Sequence, residues 1–336
     1  MKPFDIGGVS IKPGCAETID LAVSVLANST RFDLPVHVMH GQKSGPCFFM
    51  SAVVHGDEIQ GVEIIRRVLA ALRDKSLAGT VLAVPIVNSF GFLTHSRYMP
   101  DRRDLNRGFP GSDRGSLSSL LADLFFSNVV ARAQFGVDYH TAALHRTNLP
   151  QIRLTPDEPD LLKLAEIFGP RVILTSKLRE GSLRQAAAKI GVKMLLFEGG
   201  EALRFDEVAI DAAVQGTLRL MKHLGMIKDA LPLPPHIKPT ISNSSTWLRA
   251  PEGGILHSRR HAGDRIAAGE EVGAITTALG ENPVPIVADD EGIIIGRTQL
   301  PIVNRGDALF HIARIKNKTK AKTKPAQAVP DEDEII

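Results

Sequence analysis

Residues Cys47–Val54 form an eight-residue run with no charged side chain, and the segment after it changes to a helical rhythm. Ile59, Val62, Ile65, Val68, Leu69 and Leu72 recur at helical spacing from about Glu58 to Arg73, with Arg66, Arg67 and Arg73 on the other side. A second apolar run, Thr80 to Val87, ends at Asn88. The alternation resumes downstream: Leu161–Phe168 reads as helix, Val172–Thr175 as strand, Leu183–Ile190 as helix, Lys193–Phe197 as strand and Asp206–Leu224 as helix. Strands alternating with helices predict an α/β sheet covered on both faces. In such sheets sites gather at the carboxyl ends of strands.

The strand ends carry the chemistry. His55-Gly56-Asp57-Glu58 follows the first run, and the short strand Gly136–His140 ends in Asp138-Tyr139-His140. At the start of a helix, positions three apart lie on one face, so the His55 imidazole and Glu58 carboxylate can converge. Two histidines and one glutamate leave a coordination position open on zinc, the arrangement of a hydrolase rather than a structural site. His55, Glu58 and His140 are therefore the candidate ligands of one Zn2+ per chain. Asp138, two residues before His140, is placed to accept a hydrogen bond from that imidazole and fix its tautomer. A loop-capping carboxylate is the plainer alternative.

Glu198 follows the apolar strand Met194–Phe197 and precedes Gly199-Gly200. Held rigidly and partly desolvated, it is the candidate general base for a metal-bound water. The glycines would let a substrate or backbone approach closely. Residues 91–115 lack periodicity and are rich in Arg, Asp, Gly and Pro, which predicts a long functional loop. Within it, Asp104-Leu105-Asn106-Arg107 offers an arginine and an amide that suit a carboxylate ligand, or a solvated surface loop.

Composition narrows the rest. The chain has 336 residues, 43% of them hydrophobic, enough for about two domains. Forty cations against 37 anions is near balance, so no nucleic-acid partner is expected. No apolar stretch is long enough to span a membrane, and the N-terminus lacks a signal-type apolar core. The two cysteines, Cys15 and Cys47, make no disulfide framework, and Cys47 reads as a buried apolar residue. A cytoplasmic location is expected. Past a proline-rich stretch, short β runs separated by Gly turns predict a small all-β domain. The predicted layout is N-terminal strands over 1–45 leading into a catalytic domain at 46–235, a linker at 236–245, the β domain at 246–313 and a disordered charged tail at 314–336.

His55-Gly56-Asp57-Glu58, Asp104-Leu105-Asn106-Arg107, Asp138-Tyr139-His140-Thr141 and Phe197-Glu198-Gly199-Gly200 together resemble the succinylglutamate desuccinylase/aspartoacylase family, a branch of the zinc carboxypeptidase-like, M14-type fold. The resemblance covers about residues 30–313. It implies a three-layer α/β/α mixed sheet of zinc-carboxypeptidase type with a smaller C-terminal all-β domain. It further implies a zinc-dependent deacylase cleaving the amide of an N-acyl amino acid or similar small carboxylate-bearing amide. By the same match His55, Glu58 and His140 would bind zinc and Glu198 would activate water. Arg97 would polarise the scissile carbonyl, and Asn106 and Arg107 would bind the substrate carboxylate, with Arg184 a further candidate. The C-terminal domain departs from the aspartoacylase pattern in having no tyrosine. It resembles a biotinyl/lipoyl-type barrel, but the stretch Thr276–Pro283 that would carry the modified lysine has none. A lid or shaping role, without a covalent cofactor, is expected. The alternatives are a metallocarboxypeptidase and, from another class, a non-catalytic metal- or ligand-binding module. A homo-oligomer stays open. Most other histidines, including His311, read as surface residues, whereas His95 and His145 lie near the site in sequence.

Overall fold

A computed structural model describes residues 1–73, 75–228 and 238–315. Its centre is a large mixed sheet. The strands Lys193–Glu201, Phe135–Ala142, Lys43–Ala52 and Ala78–Val84 lie side by side in that order, all parallel. These are the apolar runs of the sequence, and they are buried because helices cover both faces. Gln60–Leu72, Pro159–Phe168 and Glu207–His223 share one core with the sheet, built around Phe48, Tyr139, Phe168 and Phe197. Leu117–Asn128 and Leu183–Lys189 cover the other face, around Phe49, Leu121, Phe125 and Leu183. The three-layer α/β/α expectation holds.

Local chemistry sets the helix ends. Ser116 accepts a hydrogen bond from Ser119 N, Ser182 from Gln185 N, and Asp206 from Val208 N and Ala209 N, each satisfying amides that open a helix. The helix after the His55 loop begins at Gln60, later than its spacing predicts, because residues 55–59 form the turn that carries the site.

The sheet extends beyond the expected segments on both sides. Residues 1–45 do more than lead into the domain. Ala16–Val25 and Arg31–His40 are ten-residue antiparallel strands forming one sheet edge. On the other side Arg146–Leu154 runs antiparallel to Lys193–Glu201. It also pairs with Gly292–Thr298 of the C-terminal region, Asn148 opposite Gly296. Ala308–Arg314 and Ser245–Arg249 continue the sheet from there. The C-terminal β part is antiparallel and has its own core, with Leu248, Val272, Leu309 and Phe310. Backbone hydrogen bonds join it to the catalytic sheet. Within the segment 236–245 expected to be a linker, Thr240–Ser242 pairs in parallel with Val172–Leu174. Most of the proline-rich stretch and of the charged tail lies outside the described residues. No helix among the described residues is long and apolar enough to cross a membrane.

Candidate active site and metal centre

The chain leaves the strand Lys43–Ala52 through an unusual turn. Val53 has φ 58, a left-handed conformation costly for a β-branched residue. Its carbonyl accepts Asn88 N at 2.8 Å, which ties the turn to the end of the neighbouring strand. Gly56 then passes so close to the short helix Ser89–Thr94 that a Cβ would lie 2.1 Å from the carbonyl carbon of Gly91. Only glycine fits there, and the close crossing sets His55, Glu58 and Arg97 together.

His55, Glu58 and His140 are almost fully buried. Glu58 bridges the imidazoles: Oε1 lies 2.7 Å from His55 Nδ1 and Oε2 2.7 Å from His140 Nδ1. Thr141 N donates to Glu58 Oε2 at 3.1 Å. Asp138 lies behind His140, with Oδ2 2.7 Å from Nε2, while its Oδ1 accepts the Ser51 hydroxyl at 2.7 Å. His55 Nε2 is 3.2 Å from Asp104 Oδ1, an ion-pair distance at an angle that makes no hydrogen bond. Asp104 also holds Arg97, whose Nη2 lies 2.9 Å from Oδ2, and Arg97 Nη1 lies 3.4 Å from Glu58 Oε1.

These contacts override burial. Desolvation alone would raise the Glu58 pKa, but His55 and His140 hold it well below the usual carboxylate range. Desolvation would lower both histidines, yet Asp138 and Glu58 hold His140 well above its ordinary value, and Glu58 with Asp104 raises His55. Asp104 is kept low against burial by His55, Arg97 and Arg107.

The donor set suits a divalent cation. One donor atom from each of His55, Glu58 and His140 lies within 4.8 Å of the others. Both Nδ1 atoms face the same carboxylate, and Asp138 engages the outer nitrogen of His140, as a ligand imidazole requires. A cation at this point would take the place of a proton between these groups. Imidazole and carboxylate donors in this combination suit zinc.

Glu198 is the register partner of His140 on the adjacent parallel strand, roughly 5 Å away across the ladder. It lies inside Lys193–Glu201 rather than past its end, because pairing continues across an irregularity after Glu198. Asn148 Nδ2 donates to Glu198 Oε2 at 3.0 Å, and Arg153 Nε stands 3.8 Å from Oε1. The following glycines serve the backbone. Gly200, at φ 72, packs against Gln60, whose amide donates to Gly199 O at 3.0 Å.

A cavity of about 540 Å³ joins these groups. Asn106, Arg107 and Arg184 line it with His55, Glu58, Arg97, His140 and Glu198. Asn106 Oδ1 accepts Leu183 N at 2.9 Å, so its carbonyl side is used and its NH2 remains the donor end. Arg184 Nη2 donates to Ser176 Oγ at 3.1 Å and to Lys177 O at 3.0 Å. Asp138 stands behind the cavity, and His95 and His145 are absent from its lining.

Sequence reading missed one whole wall. Arg146, Asn148 and Arg153 come from the strand after His140, and Ser245, Trp247 and His311 from the C-terminal part. His311 is buried and lines the cavity, which corrects its reading as a surface residue. Its ring stacks on Trp247 with centroids 4.6 Å apart and planes 10° apart. The signal available in the sequence was the single tryptophan of the chain.

Fold and site together define a hydrolase-type α/β protein with a buried His-Glu-His donor set beside a glutamate. The chain belongs to the succinylglutamate desuccinylase/aspartoacylase family, whose catalytic-domain sequence model matches residues 44–224. A relative from Halomonas elongata, N-alpha-acetyl-L-2,4-diaminobutyric acid deacetylase, is 27% identical over 301 residues, 84% of this chain and 86% of that one. The crystal structure of a succinylglutamate desuccinylase/aspartoacylase from Rhodobacter sphaeroides has a TM-score of 0.76 at 25% identity, covering 90% of this chain and 96% of its own. The product-bound ectoine utilization protein EutE from Ruegeria pomeroyi has a TM-score of 0.78 at 21% identity over the same shares, a likeness of fold.

Proposed function

We propose that this chain is a zinc-dependent amidohydrolase that removes the acyl group from an N-acyl amino acid or similar small carboxylate-bearing amide. The observation that carries the reading is the meeting of the His55–Glu58–His140 donor set with Glu198 in one arginine-rich cavity. The family supports it, as does the Halomonas relative, a deacetylase of an N-acetyl amino acid. The reaction needs only such a small-molecule substrate and water, and a cytoplasmic location fits the two free cysteines.

His55, Glu58 and His140 would hold the ion. Bound zinc supplies Lewis acidity and lowers the pKa of water toward ~7. Glu198 takes the proton from the attacking water and passes it to the leaving amine as the C–N bond breaks. Asn148 and Arg153 keep the Glu198 carboxylate in place for both transfers. The Arg97 guanidinium, steadied by Asp104, polarises the carbonyl oxygen. The Asn106 amide and the Arg107 guanidinium take the carboxylate beside the scissile bond, with Arg184 next to them. Asp138 keeps the outer nitrogen of His140 engaged, so its Nδ1 lone pair stays turned toward the donor set.

Glu198→Gln tests the reading. We expect kcat on an N-acyl amino acid to fall about 10²- to 10⁴-fold while zinc content by elemental analysis stays at the wild-type level. Full activity in this variant would refute the mechanism. Short peptides in the same screen separate a deacylase from a carboxypeptidase, and zinc-loaded protein that turns over neither substrate class would leave a binding module.

A further inference from the structure

The amide of Asn148 has to be held the right way round. An ionised carboxylate only accepts, so the NH2 end must face Glu198, and Nδ2 does so at 3.0 Å from Oε2. The carbonyl end, Oδ1, is then left to turn toward the C-terminal part. Asn148 stands opposite a glycine on two of its neighbouring strands, Gly200 in Lys193–Glu201 and Gly296 in Gly292–Thr298. The two glycines serve different ends. Gly200 has φ 72 and faces Gln60. Gly296 faces Asn148: a Cβ there would lie 2.6 Å from Oδ1, well inside contact distance.

The strand Gly292–Thr298 is shaped to put that glycine there. Its register with Ala308–Arg314 shifts between Ile294 and Gly296, which makes Ile295 the extra residue of a bulge. The Ile295 carbonyl accepts Gln151 Nε2 at 3.2 Å. Gln151 is fully buried and is the register partner of Glu198. The bulge is thus pinned by the residue opposite the general base, and the glycine that follows it makes room for the amide that holds the base. The backbone does not itself demand glycine, because Gly296 is not one of the positive-φ residues. The next atoms that a Cβ would meet are Thr147 O at 3.4 Å and His311 Cβ at 3.5 Å, both ordinary contacts.

We propose that Gly296 is a positioning residue for the hydrolysis: it leaves the space that Asn148 Oδ1 occupies and so, through Asn148, fixes the direction of the Glu198 carboxylate. The proposal rests on the deacylase reading above. It gives the C-terminal part a share in the proton transfers as well as in closing the cavity. Gly296 acts only through Asn148 and does not line the cavity. A methyl group at 296 would meet the far end of one side chain rather than backbone. The cheapest relief is therefore rotation of Asn148 away from Glu198, with the strand unmoved.

The test is a double-mutant cycle on zinc-loaded enzyme, with N-acetyl and N-succinyl amino acids as substrates. Gly296→Ala and Asn148→Ala should each lower kcat about 10- to 100-fold, with KM and zinc content near the wild-type values. The double variant should be no slower than Asn148→Ala alone, because the amide that the methyl group displaces is already gone. Losses that multiply, full activity in Gly296→Ala, or a change in KM alone overturns the proposal. If Gly296→Ala does not fold, the double variant decides: its folding places the clash at Asn148 and supports the proposal, and its failure to fold overturns it. A crystal structure of metal-free Gly296→Ala reads the contact without turnover. Asn148 Nδ2 should have left Glu198 Oε2, and a contact still near 3.0 Å overturns the proposal. Wild-type enzyme that hydrolyses no amide overturns the deacylase reading instead, and the crystal structure then still decides whether Gly296 sets Asn148.

Discussion

The two walls of the cavity are built on different principles. The His55–Glu58–His140 wall is buried, and each of its side chains is held by at least one contact of 2.7 Å. Its residues sit at or beside the carboxyl ends of parallel strands that are apolar along their length. The Arg146–Trp247–His311 wall is more exposed, is assembled from antiparallel strands of two parts of the chain, and is held by ring stacking and a cation–π contact. The first wall concentrates opposite charges where a cation fits. The second lines the cavity with an arginine on an aromatic face. Reactivity and selectivity can therefore be altered separately, because the two walls stand on different strands.

The sharpest way to break the comparison is Glu58→Ala. It removes the bridging carboxylate and leaves two buried imidazoles facing each other. We expect loss of zinc by elemental analysis, loss of turnover, and destabilisation of about 3–5 kcal/mol in denaturant melts. Asp138→Asn is milder. It keeps the shape but weakens the grip on His140 Nε2, so zinc affinity in a chelator competition should fall about 10- to 100-fold. On the opposite wall, Trp247→Ala should leave zinc content at the wild-type level and raise KM roughly 3- to 10-fold. Zinc loss in that variant would show that the walls are not separable.

The smallest expected effect is on pH dependence in the metal-free protein. His140 has a folded-state pKa well above its ordinary 6.5, chiefly through Asp138 and Glu58 acting against burial. The stability it contributes is fully present below 6.5 and is lost as pH rises through the raised folded value. Glu58 runs the other way: its contribution is present above its ordinary 4.5 and is lost as pH falls toward its depressed folded value. The cluster therefore stabilises the metal-free chain most between those two ordinary values, and Tm should drop by a few °C toward alkaline pH. Bound zinc replaces the protons and should flatten the alkaline side. A metal-free Tm that rises with pH over that range would contradict the assignment of protons to the imidazoles.

Much of the catalytic wall was legible before any coordinates because parallel strands announce themselves. Phe48, Phe49, Val81 and Leu196 make continuous apolar runs, and a polar residue at the end of such a run has few structural uses. The strand Arg146–Leu154 has no such signature. It contains Pro150 and five polar side chains, and it is a strand because three neighbouring strands pair with it. Proline is tolerated there where the ladder shifts register, between Asn148 and Gln151. The N-terminal edge strands were hidden for a related reason. In Arg31–His40 buried and solvent-facing residues alternate, as they do in many surface hairpins. Val53 gave no hint of its left-handed backbone, because a β-branched residue is the last one expected there.

The sequence by itself determined the alternation of strand and helix, the identity of the donor atoms and the place of Glu198 beside them. The alternation depends on residue type and spacing along each segment, and the site residues on their standing at the ends of apolar strands. The tertiary structure alone decided that Asn148 holds Glu198, that Asp104 joins His55 to Arg97, and that a tryptophan and a histidine from the C-terminal part close the cavity. Those contacts link residues 49 to 101 positions apart, and in one case only 7 apart, through sheet pairing and loop crossings. No local pattern encodes such distances, because they follow from which strand edges meet.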